Sequence, residues 1–157
     1  MKRTILNLFK NKLNKVPSVG ITSYDYPTSR IINNCNIDFI VVGDTAGSTV
    51  HGMQNLNAVS MDMMLTHCVS VKRGSQNQFL IGDMPYMSYQ PSNEVAIKNA
   101  GDFVKAGMDA VKIERESTNR GVVADVVGLI AVNFRDEGQR PSPYKKTPAD
   151  VSQTCFF

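Results

Sequence analysis

Three acids and a lysine stand where apolar runs end. Asp44 closes Asp38-Phe-Ile-Val-Val-Gly-Asp44, Asp83 closes Gln78-Phe-Leu-Ile-Gly-Asp83, and Glu114 closes Asp109-Ala-Val-Lys-Ile-Glu114, which carries Lys112 two residues before its acid. Short apolar runs of this kind suit buried parallel strands, and an acid at the end of each would reach one rim of the sheet. Carboxylates crowded at a rim repel one another unless a cation lies between them. Magnesium is the expected cation, because it takes a few carboxylates with water and substrate oxygens, and no histidine or cysteine cluster points to zinc. Lys112 and Glu114 share a face of their strand and place a positive charge beside the acids, suited to a substrate carboxylate or oxyanion. A single aspartate at a strand end is more often a cap or turn former; three at matched spacing favour a site.

The acids lie 39 and 31 residues apart, close to the roughly 30 residues of a βαβ step. Helical patterns fill the gaps. One is expected over residues 28–35. A second starts at Ser60, runs to Arg73 and closes at Gly74; a third runs from about Ser92 to Ala106, with Ser92 as cap and Gly107 as stop. Val19-Gly-Ile21 reads as a strand before the turn Ser23-Tyr24-Asp25-Tyr26-Pro27. Strand, helix and strand in repetition predict an α/β fold with a parallel sheet, and convergence of the acids on one rim favours a (βα)8 TIM-type barrel over an open sheet. Such a barrel needs about 250 residues, so the chain is expected to hold four to five units, the N-terminal half. Its open edges would invite pairing with another chain.

The first 24 residues carry Lys2, Arg3, Lys10, Lys12 and Lys15 and no acid, with Ile5, Leu6, Leu8, Phe9 and Leu13 near helical spacing. A transit peptide shows such a pattern, but the asparagine-rich composition favours an N-terminal helix packed on the domain. Residues 122–132 suggest a short helix and a fifth strand. Charge, proline and lysine then predict a loose tail over 135–157, leaving 1–134 as the partial-barrel domain.

Composition narrows the classes. With 157 residues, 42% hydrophobic and 20% charged, the chain suits one globular domain. A net charge of +3 without a basic, aromatic-laced run argues against nucleic acid. No apolar run nears the roughly 20 residues that cross a bilayer. Three scattered cysteines indicate neither a disulfide framework nor a zinc site, so the cytoplasm is the expected location. His51 and His67 lack partners at ligand spacing and are expected to pack or face solvent. Met61, Met63 and Met64 read as helix filling, while Gly43, Gly47 and Gly52 match no phosphate motif and read as turn formers at the rim.

Five ordered segments resemble the ketopantoate hydroxymethyltransferase family: Ile21-Thr-Ser-Tyr-Asp-Tyr26, Val42-Gly-Asp-Thr45, Val59-Ser-Met-Asp62, Gly82-Asp-Met-Pro-Tyr-Met-Ser-Tyr89 and Val111-Lys-Ile-Glu114. The resemblance covers about residues 4–114. It implies a barrel enzyme of pantothenate biosynthesis that moves a hydroxymethyl group from 5,10-methylenetetrahydrofolate to 3-methyl-2-oxobutanoate, in a homo-oligomer. By the same resemblance Asp44, Asp83 and Glu114 would hold magnesium, directly or through water. Asp44, Thr45, Asp83 and Lys112 would line the 2-oxo acid.

Three departures accompany it. Thr45 stands where the family usually has serine. Arg115 and Glu116 replace two glycines after the metal-site glutamate, and neither the histidine motif of the following strand nor the general-base glutamate has a recognisable counterpart. The catalytic base is therefore unassigned. Two rival readings follow: a half barrel that binds a 2-oxo acid or assembles with a full-length homologue without turnover, and another metal-dependent barrel acting on 2-oxo acid enolates. For the latter no nucleophile or phosphonate-binding motif is found.

Overall fold

The computed structural model describes residues 1–113. Glu114, the expected fifth unit and the expected tail lie outside the described residues. In chain order the elements are α1 (Ile5–Leu13), β1 (Gly20–Thr22), α2 (Tyr26–Ile32), β2 (Phe39–Val42), α3 (Ala46–Thr49), a 3-10 turn (Leu56–Ala58), α4 (Met61–Gly74), β3 (Phe79–Asp83), α5 (Asn93–Lys105) and β4 (Ala110–Lys112).

The four strands are parallel and lie in the order β1-β2-β3-β4. A doubly wound open sheet reverses its strand order at a switch point. Here each strand pairs with the next in sequence, the progression of a barrel wall.

Alternation along the strands sorts side chains onto two faces. Ile40, Val42, Leu80 and Val111 point outward and are buried with Met64, Cys68 and Val71 of α4 and Ala96, Ala100 and Phe103 of α5. Phe39, Val41, Phe79, Ile81 and Ala110 point inward, where Ile5 and Leu8 of α1 pack on them. The N-terminal helix thus covers the inner face of the sheet. Arg3 pairs with Asp38, 3.3 Å away, and Lys2 with Asp109, so both basic residues tie the helix to the N-terminal side of the strands. The packed-helix expectation holds for this segment.

Local chemistry sets the helix starts. Ser60 accepts from the Met63 N–H and Ser92 from the Val95 N–H, each satisfying an amide that lacks an intrahelical partner. Helix α2 begins at Tyr26 rather than at the expected residue 28, because Asp25 caps it by accepting from the Thr28 N–H and Pro27 fits the first turn. Gly107 follows α5 with φ +94°, a conformation that disfavours any side chain.

Gly74 ends α4 for a different reason. A Cβ there would stand 2.6 Å from both the Tyr26 carbonyl oxygen and the Ser29 Cβ, so α2 and α4 meet at backbone contact. The carbonyl cannot swing away as a side-chain tip could. Gly74→Ala should therefore cost about 1–3 kcal/mol of stability through overpacking, seen in a urea melt as a lower midpoint at unchanged slope.

Candidate active site at the C-terminal rim of the sheet

The ladder places Asp83 directly opposite Lys112, both on the inner face at the C-terminal ends of β3 and β4. Asp83 is 5% exposed. The Lys112 ammonium stands 2.7 Å from its Oδ1 and 2.8 Å from its Oδ2, a short pair across two strands. Burial pushes the Asp83 carboxyl above its ordinary range. The Lys112 hydrogen bond and charge pull it down, the Asp44 carboxylate pushes it up again, and a hydrogen bond from the Asp44 backbone pulls it down. Desolvation wins, so the pair with Lys112 does not fully replace the water that Asp83 has lost.

The end of β2 closes the other side. At Gly43 a Cβ would lie 2.9 Å from the Thr45 hydroxyl, 3.6 Å from Asp83 Oδ2 and 3.7 Å from the Tyr24 hydroxyl, so glycine keeps the space between these groups open. Tyr24 Oη and Thr45 Oγ1 are hydrogen bonded at 2.8 Å. Thr45 also starts α3 without spending its side chain on the cap. Its hydroxyl and that of Tyr24 thus stand beside Asp83.

Of the expected site residues, Asp44, Thr45, Asp83 and Lys112 are brought to one rim, while Glu114 lies outside the described residues. Among the described residues no three His, Cys, Asp or Glu side chains form a metal-holding group. Asp44 and Asp83 still fit magnesium in donor chemistry. The Asp44 charge adds to the cost of ionising the desolvated Asp83, and one or two carboxylates are the usual protein share of a magnesium shell.

Cys68 lies behind the rim. Burial first, with the Asp83 charge second, raises its thiol to about 12, which makes it an inert packing group.

The two histidines pack on each other, one exposed and one half-buried. His67 Nδ1 lies 2.7 Å from the Tyr24 carbonyl oxygen, and His67 Nε2 lies 2.9 Å from His51 Nε2. The two rings form an edge-on pair with centroids 5.1 Å apart. Sequence spacing misses this because the partners come from the loop after α3 and from α4. The available signal was His67's place beside Met64, Cys68 and Val71 on the core-facing side of α4. Tyr24, assigned no role from its sequence position, links this pair to Thr45.

The sign of the Asp83 shift sets a pH test. A carboxyl raised in the folded state binds its proton more tightly there, so its contribution to stability is full below the unfolded value and is lost as pH rises through the folded one. Lys112→Met removes the largest opposing influence. The Asp83 value should rise further, and the loss of stability with rising pH should extend upward, as measured by carboxyl 13C NMR titration and melts across the same pH range.

A family model described as ketopantoate hydroxymethyltransferase matches residues 2–133. A 3-methyl-2-oxobutanoate hydroxymethyltransferase of Staphylothermus marinus is 43% identical over 126 residues, which are 80% of this chain and 46% of that protein. The protein of the same description from Thermotoga neapolitana is 48% identical over 105 residues, 67% of this chain and 39% of its own length. The chain therefore spans less than half the length of these relatives. Among solved structures, phosphonopyruvate hydrolase in complex with oxalate and Mg++ superposes with a TM-score of 0.62 at 11% identity, covering 82% of this chain and 48% of that one. The 2,3-dimethylmalate lyase of the PEP mutase/isocitrate lyase superfamily gives 0.60 at 15% identity, over 82% of this chain and 49% of that one. At these identities the likeness establishes the partial TIM-barrel fold.

Proposed function

Because the chain belongs to the ketopantoate hydroxymethyltransferase family, we propose that its rim binds magnesium and 3-methyl-2-oxobutanoate for hydroxymethyl transfer from 5,10-methylenetetrahydrofolate, giving ketopantoate in pantothenate biosynthesis. The observation that carries this reading is the desolvated Asp83 carboxylate, held by Lys112 next to Asp44 on the inner face of the sheet. Two hard oxygen donors and a cation in one place suit a chelated 2-oxo acid, whose own keto and carboxylate oxygens bring the complementary charge.

Asp44 and Asp83 would hold the metal, with Glu114, two positions after Lys112 in the sequence, as the third carboxylate. Bound there, magnesium would act as a Lewis acid on the keto oxygen and make the neighbouring C3–H more acidic. Lys112 would present its ammonium to the substrate carboxylate, and Thr45 its hydroxyl to the oxo acid, oriented by Tyr24. Gly43 leaves the opening that such a ligand needs. In the overall reaction C3 loses its proton and bonds to the folate methylene carbon, whose two C–N bonds break; water supplies the hydroxyl, and the C3 proton and the second water proton end on the two nitrogens of the departing tetrahydrofolate. The rim residues orient and charge-balance the acid; the base that takes the C3 proton is not among them.

A second reading has its own support. Arg115 and Glu116 stand where the family carries two glycines. On this reading the chain binds the oxo acid, or assembles with a full-length homologue, without turnover of its own. β1 offers one edge for that pairing, with Ile21 exposed in the strand and Val19 exposed just before it. Among the described residues no helix is long and apolar enough to cross a membrane.

Exchange of the C3 hydrogen of 3-methyl-2-oxobutanoate with deuterated water, followed by NMR, separates the readings. Magnesium-dependent exchange supports hydroxymethyl transfer, and magnesium-dependent binding without exchange supports the binding half barrel. Binding that is indifferent to magnesium would sink both. Asp83→Ala should abolish magnesium-dependent substrate binding in a calorimetric titration, whereas an unchanged affinity would remove Asp83 from the site.

A further inference from the structure

We propose that His51 and His67 form a second metal site, specific for a borderline transition-metal dication such as zinc and separate from the carboxylate rim. The chain contains two histidines, and the fold brings them Nε2 to Nε2 at 2.9 Å.

Tautomer chemistry makes the pair more than a packing contact. The Tyr24 carbonyl oxygen can only accept, so His67 Nδ1, 2.7 Å away, must carry a proton. In the neutral ring this leaves a lone pair on His67 Nε2, aimed at His51. A ring N–H held by a backbone carbonyl is the arrangement that orients metal-ligating histidines and raises their basicity. The ring is thus oriented as a ligand before any ion arrives.

His51 Nε2 donates to that lone pair in the neutral pair. Transfer of its proton through solvent to its own Nδ1 exposes a second lone pair on the same spot, with no change in charge. Ligand nitrogens about 2.0–2.1 Å from one ion stand roughly 2.8–3.0 Å apart at a right angle and roughly 3.3–3.4 Å apart in the tetrahedral geometry of zinc. The observed separation needs to open by only a few tenths of an ångström. His51 is exposed and His67 half-buried, so an ion has a path in and water can complete its shell. Imidazole pairs suit zinc, nickel and copper, whereas magnesium prefers oxygen.

The test is a zinc titration of the full chain in excess magnesium, followed by long-range 1H–15N NMR of the imidazoles. Both Nε2 signals should move together and saturate at one equivalent while His67 Nδ1 keeps its proton. His51→Gln, at an exposed position, should weaken zinc binding at the remaining imidazole at least tenfold with an unchanged amide spectrum, while Asp83→Asn should leave it alone. The proposal fails if zinc moves neither imidazole or only one, if His51→Gln binds as tightly as the parent, or if Asp83→Asn is the variant that loses the ion.

Discussion

The parallel register of β2, β3 and β4 controls the position of the charged groups. Val42 pairs with Gly82 and Asp83 with Lys112, so period-two alternation sends the last residues of β3 and β4 inward together. A slip of one residue would turn Asp83 into the layer under α5, against Phe103, where a carboxylate has no partner. Gly82 holds the register from the other side: a Cβ there would meet the Phe103 ring at 2.4 Å, so α5 sits directly on the strand. Packing on the outer face thereby fixes electrostatics on the inner one.

That placement carries an electrostatic cost. Asp83 is buried enough that one ammonium does not return its carboxyl to the ordinary range, and the Asp44 charge works against it. Unlike the exposed Lys98–Asp102–Lys105 cluster on α5, which is of the kind that contributes little, the Asp83–Lys112 pair is shielded from solvent. A cation bound as proposed above would offset that residual imbalance. Folding stability alone would favour an apolar pair at these positions. A site whose carboxylate is under-solvated before binding is a reason of another kind for keeping the charges.

Much of this arrangement is legible in the chain. Three apolar runs closing on acids specify β2, β3 and β4 and their helical crossovers, and Ser60, Ser92 and Gly107 mark helix ends by chemistry that acts within a few residues. Asp44, Asp83 and Lys112 are found for the same reason, since a strand end fixes where its last side chains go. What is not legible depends on approach between distant segments. Gly74 resembles a helix stop, yet its need arises from the carbonyl of Tyr26 on another helix. His51 and His67 are sixteen positions apart in sequence, and their meeting depends on how the loop after α3 returns over α4. Tyr24 is invisible for the same reason, because it makes its contacts to Thr45 and His67 through two different parts of one residue.

Binding and turnover place different demands on a barrel wall. Neighbouring strands lie about 4.8 Å apart, so donors at the ends of adjacent strands can share one ion or clasp one carboxylate, and β2, β3 and β4 with the loop carrying Thr45 already supply such a set. In the proposed reading these groups hold the substrate, and the base that removes its proton is not assigned among them. The chemistry of the described residues follows this division: carboxylates, an ammonium and two hydroxyls side by side, all suited to holding and charge-balancing an acid. Each described strand pairs with its sequence neighbour, and Ile5 and Leu8 of α1 pack on the inner apolar layer beneath the rim.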